Sequence, residues 1–146
     1  MSTRSRIGIL REDGKIESVY CHFDGYFDHV GKILFNHYQD KNKINELIKN
    51  GDLSSLAEEI GVKHDFESKD YTQCKFYGRD RGEDGVSSII SESLEDFLNL
   101  CLKTWGEYAY LYCRGEWFGK YLGDENGNDL EKLSSIMKRM DENNEL

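Results

Sequence analysis

Apolar and polar residues alternate along two short runs, Arg6–Leu10 and Ile16–Phe23, separated by Glu12-Asp13-Gly14-Lys15. A period of two on either side of an Asp-Gly dipeptide predicts a β-hairpin. On the second run Val19, Cys21 and Phe23 share one face, while Ser18, Tyr20, His22 and Asp24 share the other. Cys21 and His22 therefore point apart, and His22 and Asp24 lie on the same side. From Asp28 to about Gln39 the period lengthens to that of a helix, with Val30, Ile33, Leu34 and His37/Tyr38 facing the core. Two shorter helices follow. One runs over Ile44, Leu47 and Ile48 and is ended by Asn50-Gly51; the other is capped by Asp52 or Ser54, carries Leu53, Leu56 and Ile60, and is ended by Gly61.

Thr72–Tyr77 reads as a third strand with Cys74 and Phe76 on one face, and Arg79–Ser88 as a polar loop punctuated by glycine. A helix capped near Ser93 places Leu94, Phe97, Leu98, Cys101 and Trp105 on one stripe and stops at Gly106. Glu107–Cys113 and Glu116–Lys120 form a second hairpin about Arg114-Gly115, and Asp129 to about Met140 forms a closing helix. The pattern predicts an α+β fold: a mainly antiparallel sheet of about five strands, two hairpins plus one strand, with helices packed on one face. One domain is expected over residues 1–146, with a frayed acidic end at about 141–146.

Charge changes this picture more than composition does. The 146 residues carry a net charge of −9, and aromatic residues make up 12% of the chain, far more apolar area than a disordered chain carries. Nearly all the excess charge sits in two segments, 79–97 and 121–146, each of net −4. The acids are Asp80, Glu83, Asp84, Glu92, Glu95 and Asp96 in the first, and Asp124, Glu125, Asp129 and Glu131, with Asp141, Glu142 and Glu145, in the second. Brought together they would form one negative face, suited to a basic protein partner and unsuited to direct nucleic-acid binding, which rests on Lys and Arg. The alternative is an ordinary solvated acidic surface. No run approaches the roughly 20 apolar residues of a membrane helix, and MSTRSRIGIL lacks the apolar core of a secretory signal, so no membrane partner is expected.

Two polar clusters stand where strands run into loops: Tyr20–Tyr26 and Tyr77–Asp84. His22 and Asp24, completed by Asp80 or Glu83, offer the nitrogen and oxygen donors of a zinc or manganese site. The structural alternative has Asp24 capping the next helix and Arg79 and Arg81 pairing with acids. His29 and His64 read as solvated, and His37 as half-buried. The four cysteines, Cys21, Cys74, Cys101 and Cys113, contain no CxxC pair and read as reduced core thiols. No G-x-S-x-G, Walker A or dinucleotide-binding motif is present, so no catalytic residue is assigned.

T-R-S-R-I, Y-C-H-F-D-G-Y followed by V-G-K-I-L and H-Y, G-D-L-S-S-L and Y-G-R-D-R-G-E-D together resemble a family of small phage and prophage proteins that usually read YCHWDGY…VG. The resemblance covers residues 3–84 and extends to the hairpin at 107–117. Phe23 stands where many relatives have Trp and Phe27 where Pro is common, while His22, Asp24 and Gly25 are kept. The resemblance implies a phage context and the cytoplasm of a bacterial host. The expectation is a counter-defence protein of anti-CRISPR type that binds a type II CRISPR effector nuclease through its acidic surface and blocks DNA loading. The alternatives are a small ligand- or metal-binding module, or small enzyme, built on the His22/Asp24 and Arg79–Glu83 clusters, and a virion or assembly protein.

Overall fold

The first hairpin forms as its sequence requires. β1 (Ser5–Leu10) and β2 (Ile16–Cys21) pair antiparallel from Ser5 opposite Cys21 to Leu10 opposite Ile16. Gly14 takes the left-handed φ of +85° that closes the turn, and the Asp13 carboxylate accepts the Lys15 N–H at 3.0 Å. The computed structural model describes residues 2–123 and 130–144. The sheet is larger than five strands and is mixed. In chain order its other strands are β3 (Leu53–Ser55), β4 (Lys75–Phe76), β5 (Ile89–Ser91), β6 (Tyr108–Cys113), β7 (Glu116–Tyr121) and β8 (Glu131–Lys132).

The strand order is β4-β3-β2-β1-β6-β7-β8. β1 lies parallel to β6, and β2 parallel to β3, whereas β6–β7, β7–β8 and β3–β4 are antiparallel. β2 shares its outer edge between two partners: Ile16–Ser18 pair with β5, and Cys21 pairs with Leu53 of β3. In the second hairpin Arg114 and Gly115, at φ of 53° and 82°, form the two-residue turn that suits strand twist.

Helices cover both faces, which corrects the expectation of one. A π-helical turn (Phe27–Gly31) leads directly into α1 (Lys32–His37), followed by α2 (Lys41–Lys49). With α5 (Leu133–Asn144) they cover the face that carries Ile7, Ile9, Val19, Cys21, Tyr110 and Tyr112. α4 (Leu94–Lys103) covers the opposite face, where Phe97 and Cys101 pack on Ile16, Ala109 and Leu111. Gly8 allows that approach, since a Cβ there would lie 3.1 Å from the Phe97 ring. The strict alternation along β1 and β6 thus fills two cores, one on each side of the sheet.

Four local expectations differ from the fold. Residues 52–60 are not helical: the carbonyls of Leu53 and Ser54 accept the N–H groups of His22 and Phe23, each at 3.0 Å, so this backbone serves the sheet. The segment read as a loop, Arg79–Ser88, begins inside a short helix, α3 (Tyr77–Arg81), and leads directly into the edge strand β5. Just past α1 the inward residue is Tyr38, whose hydroxyl donates to the Ala57 carbonyl at 2.7 Å; His37 turns outward to Glu58 at 3.4 Å. α5 continues through Asp141 to Asn144, beyond the expected end at Met140.

Candidate functional site

The described acids of the first charged segment gather along β5 and its two flanks. α3 ends at Gly82, whose φ of +72° reverses the chain. The following loop is tied down by the Asp52 N–H to the Val86 carbonyl at 2.8 Å and by Ser88 Oγ to Glu17 Oε2 at 2.6 Å. β5 then runs along β2 as an edge strand. At the start of α4 the Ser93 hydroxyl accepts the Asp96 N–H at 3.1 Å, a conventional N-cap, and Glu95 and Asp96 occupy the first turn, where the helix dipole favours negative charge.

This edge exposes apolar side chains among the acids. Ile89, Ile90 and Leu94 are 43%, 47% and 44% exposed. Glu83, Asp84, Glu92, Glu95 and Asp96 are all exposed around them. Glu83 pairs with Arg81 at 2.7 Å and Glu92 with Lys15 at 3.5 Å; among the described residues no cation lies within 4 Å of Asp84, Glu95 or Asp96. A short edge strand lined by acids resists pairing with its own copies, while its charge favours a cationic surface. Periodicity marks this site only indirectly. Two adjacent isoleucines on a strand must face opposite ways, so one face alone cannot bury both.

The described parts of the two acidic segments do not make one face. β8 lies at the far edge of the sheet from β5, with β2, β1, β6 and β7 between them, about 24 Å at the usual strand spacing. α4 and α5 also pack on opposite faces. Glu131 is further engaged by Arg139, one of whose nitrogens lies 2.9 Å from Oε1. Asp124, Glu125 and Asp129 lie outside the described residues.

Asp80 is a structural group and belongs to neither the partner surface nor a metal site. Its side chain is 0% exposed. Oδ1 accepts from Arg79 Nε at 2.9 Å and from the His64 N–H at 3.1 Å; Oδ2 accepts from the Phe76 N–H at 2.8 Å and from Arg79 at 3.2 Å. His64, expected to be solvated, is mostly buried against this carboxylate. Arg79 also donates to the carbonyls of Ile60, Gly61 and Cys74, so its donors are occupied. Arg81 lies over the rings of Phe66 and Tyr77.

His22 and Asp24 have separate local partners. The Tyr20 hydroxyl lies 2.6 Å from His22 Nδ1, and burial together with the nearby Arg4 cation holds the imidazole below its ordinary pKa. Asp24 adopts a left-handed φ of 57° at the turn after β2, with Oδ2 3.9 Å from His29 Nε2. Among the described residues no three His, Cys, Asp or Glu side chains are grouped to hold a metal ion. His22, Asp24 and Asp80 are therefore not assembled as the sequence suggested. The cysteines are all free thiols, and burial raises Cys21 and Cys101 to about 12.

No protein-family model, curated protein or solved structure matches the chain. The edge at β5 and the start of α4 is thus assigned on its own geometry. Among the described residues no helix is long and apolar enough to cross a membrane.

Proposed function

We propose that this chain is a phage counter-defence protein, which docks the acidic edge at β5 and the α4 N-terminus on the Lys/Arg-lined DNA channel of a host type II CRISPR effector nuclease and blocks DNA loading. The observation that carries this reading is the half-exposed trio Ile89, Ile90 and Leu94 set among the exposed Glu83, Asp84, Glu92, Glu95 and Asp96. Apolar anchors with a charged rim are the ordinary anatomy of a protein interface. The sign of the rim selects a basic partner, and a nuclease channel that must grip phosphates is basic by necessity.

The edge does not need the second acidic segment. Its charges sit on backbone held by the Asp52–Val86 hydrogen bond and by the Ser93 cap, so little conformational entropy is lost when it docks. Binding should follow the rules of electrostatic association: fast at low ionic strength and weakened by salt.

The test is direct binding of the purified chain to a purified type II effector nuclease across a salt series. Affinity that falls as salt rises, and falls further when Glu92, Glu95 and Asp96 are changed to Gln, Gln and Asn, supports the reading. Absence of binding at low salt overturns it.

A further inference from the structure

On the face of the sheet covered by α4 lies a pocket whose charge runs against that of the chain. It is an open surface cleft of about 490 Å³, and its wall includes Arg4, Arg6 and Lys103 together with Tyr20, Asp52 and Trp105. Three cations thus meet one carboxylate in a protein of net charge −9. The volume falls within the range of small-molecule sites.

Arg6 is the anchor. It alternates with Ile7 on β1, so its side chain enters the α4 face, and the residue is only 1% exposed. Its guanidinium donates to Ser18 Oγ at 3.1 Å and to the Ser18 carbonyl at 3.2 Å, both neutral acceptors. Among the described residues no carboxylate comes within 4 Å of Arg4, Arg6 or Lys103, although such pairs are found for Arg11, Lys15 and Arg79. Arg4 Nε is itself buried without a hydrogen-bond partner. Asp52 is occupied by the Tyr20 N–H at 2.9 Å, and burial raises its pKa, which weakens it as a counter-ion. A buried guanidinium with no carboxylate in contact, supported only by the more distant charge of Asp52, is costly to maintain, and an arriving phosphate or carboxylate would reduce that cost.

A second feature gives the ligand a shape. Trp105 follows the end of α4 with φ at +64°, a left-handed conformation that a bulky residue rarely adopts, and is 76% exposed. The turn that holds it is fixed by the Trp105 N–H to the Leu102 carbonyl at 3.1 Å and the Gly106 N–H to the Cys101 carbonyl at 2.7 Å. A fixed, exposed indole beside cations is a platform for a flat ring.

We propose that this pocket binds a small ligand with a phosphate attached to a planar ring system, the chemistry of a mononucleotide, with Arg4, Arg6 and Lys103 on the phosphate and Trp105 on the ring. A long polyanion is disfavoured by the surrounding −9, whereas a single phosphate responds mainly to the local cations. The pocket borders the docking edge at Ile89, which lines it, but its three cations and Trp105 are not part of that edge, and the inference does not depend on the protein-binding reading.

The test is titration of the intact chain with adenosine monophosphate, followed by tryptophan fluorescence and calorimetry. Trp117 is buried, so a change in emission reports Trp105, and Trp105→Phe should abolish it. Saturable binding is expected, weakened at least about tenfold by Lys103→Glu and by Arg4→Gln, each losing one charge-assisted contact. Both variants should keep the wild-type melting behaviour. Inorganic phosphate should bind more weakly than the nucleotide. Four results would overturn the proposal: no saturable response to the nucleotide, equal affinity in Lys103→Glu, phosphate binding as tightly as the nucleotide, or a short single-stranded oligothymidylate binding more tightly than either.

Discussion

Arg79 and Asp80, neighbours in sequence, form a two-pronged ion pair: Arg79 Nε reaches Oδ1 at 2.9 Å, and a second guanidinium nitrogen reaches Oδ2 at 3.2 Å. The pair links α3 to the carbonyls of Ile60, Gly61 and Cys74 and to the N–H groups of His64 and Phe76. It therefore fastens the long irregular segment after β3 to the chain that leads into β5.

Breaking this pair should be expensive. Asp80→Ala leaves a mostly buried guanidinium without its anion, and a loss of about 3 kcal/mol is expected in urea denaturation. Arg81→Ala removes an exposed pair with Glu83 and the stacking of Arg81 on Phe66 and Tyr77, and should cost distinctly less, about 1 kcal/mol. Equal costs for the two variants would show that Asp80 is not the fastening point.

The same carboxylate predicts an acid dependence. Burial alone would raise its pKa, but the Arg79 bonds and the Phe76 and His64 N–H donors outweigh burial and hold it below 3.8. A carboxyl with a depressed folded pKa contributes stability that is present above the unfolded value and lost as pH falls through the folded one. Wild-type stability should thus drop below about pH 4, and the drop should be shallower in Asp80→Asn. Identical acid profiles would count against this assignment.

Gly51 positions the acidic loop. It has a φ of +83°, and a Cβ there would lie 2.4 Å from the Val86 carbonyl oxygen, the acceptor of the Asp52 N–H. Gly14 has a similar φ of +85° with nothing within 4 Å. Gly14→Ala should therefore cost about 1–2 kcal/mol from backbone strain alone, and Gly51→Ala distinctly more. Gly51→Ala should also increase amide exchange along residues 86–91. Equal costs would mean that the Val86 contact does not constrain the loop.

Where a local signal coincided with the final environment, the fold was legible in the chain. Asp13-Gly14 and Arg114-Gly115 announced both hairpins, and the Ser93 cap announced α4. The parallel pairing of β1 with β6 had no such signal, because it joins segments about a hundred residues apart through the shared core rather than through a turn. Leu53, Leu56 and Ile60 have helical spacing, yet their neighbours Ser54 and Ala57 are buried too, which a one-sided helix would not allow. Leu94 and Trp105 continue the α4 stripe on paper. In the fold they sit at and beyond the helix ends, where the stripe no longer meets the sheet.

The site was legible in part for the same reason. Charge along the sequence marked Glu83–Asp96 correctly as an exposed acidic stretch, but charge cannot distinguish a solvated acid from one enclosed by donors, and Asp80 is of the second kind. Nor does a sum of charges reveal that the strands of the two acidic segments, β5 and β8, lie at opposite edges of one sheet.

The most direct test of the docking edge is competition with DNA. A guide-loaded type II effector nuclease is mixed with fluorescent target DNA, and DNA loading is followed by anisotropy as the wild-type chain or the Glu92→Gln/Glu95→Gln/Asp96→Asn variant is added. Wild type should suppress loading at low salt, with the effect relieved by added salt and reduced at least about tenfold in the variant. Undiminished DNA loading in the presence of excess wild-type chain, or equal inhibition by the variant, would contradict the assignment of β5 and the start of α4 as the inhibitory surface.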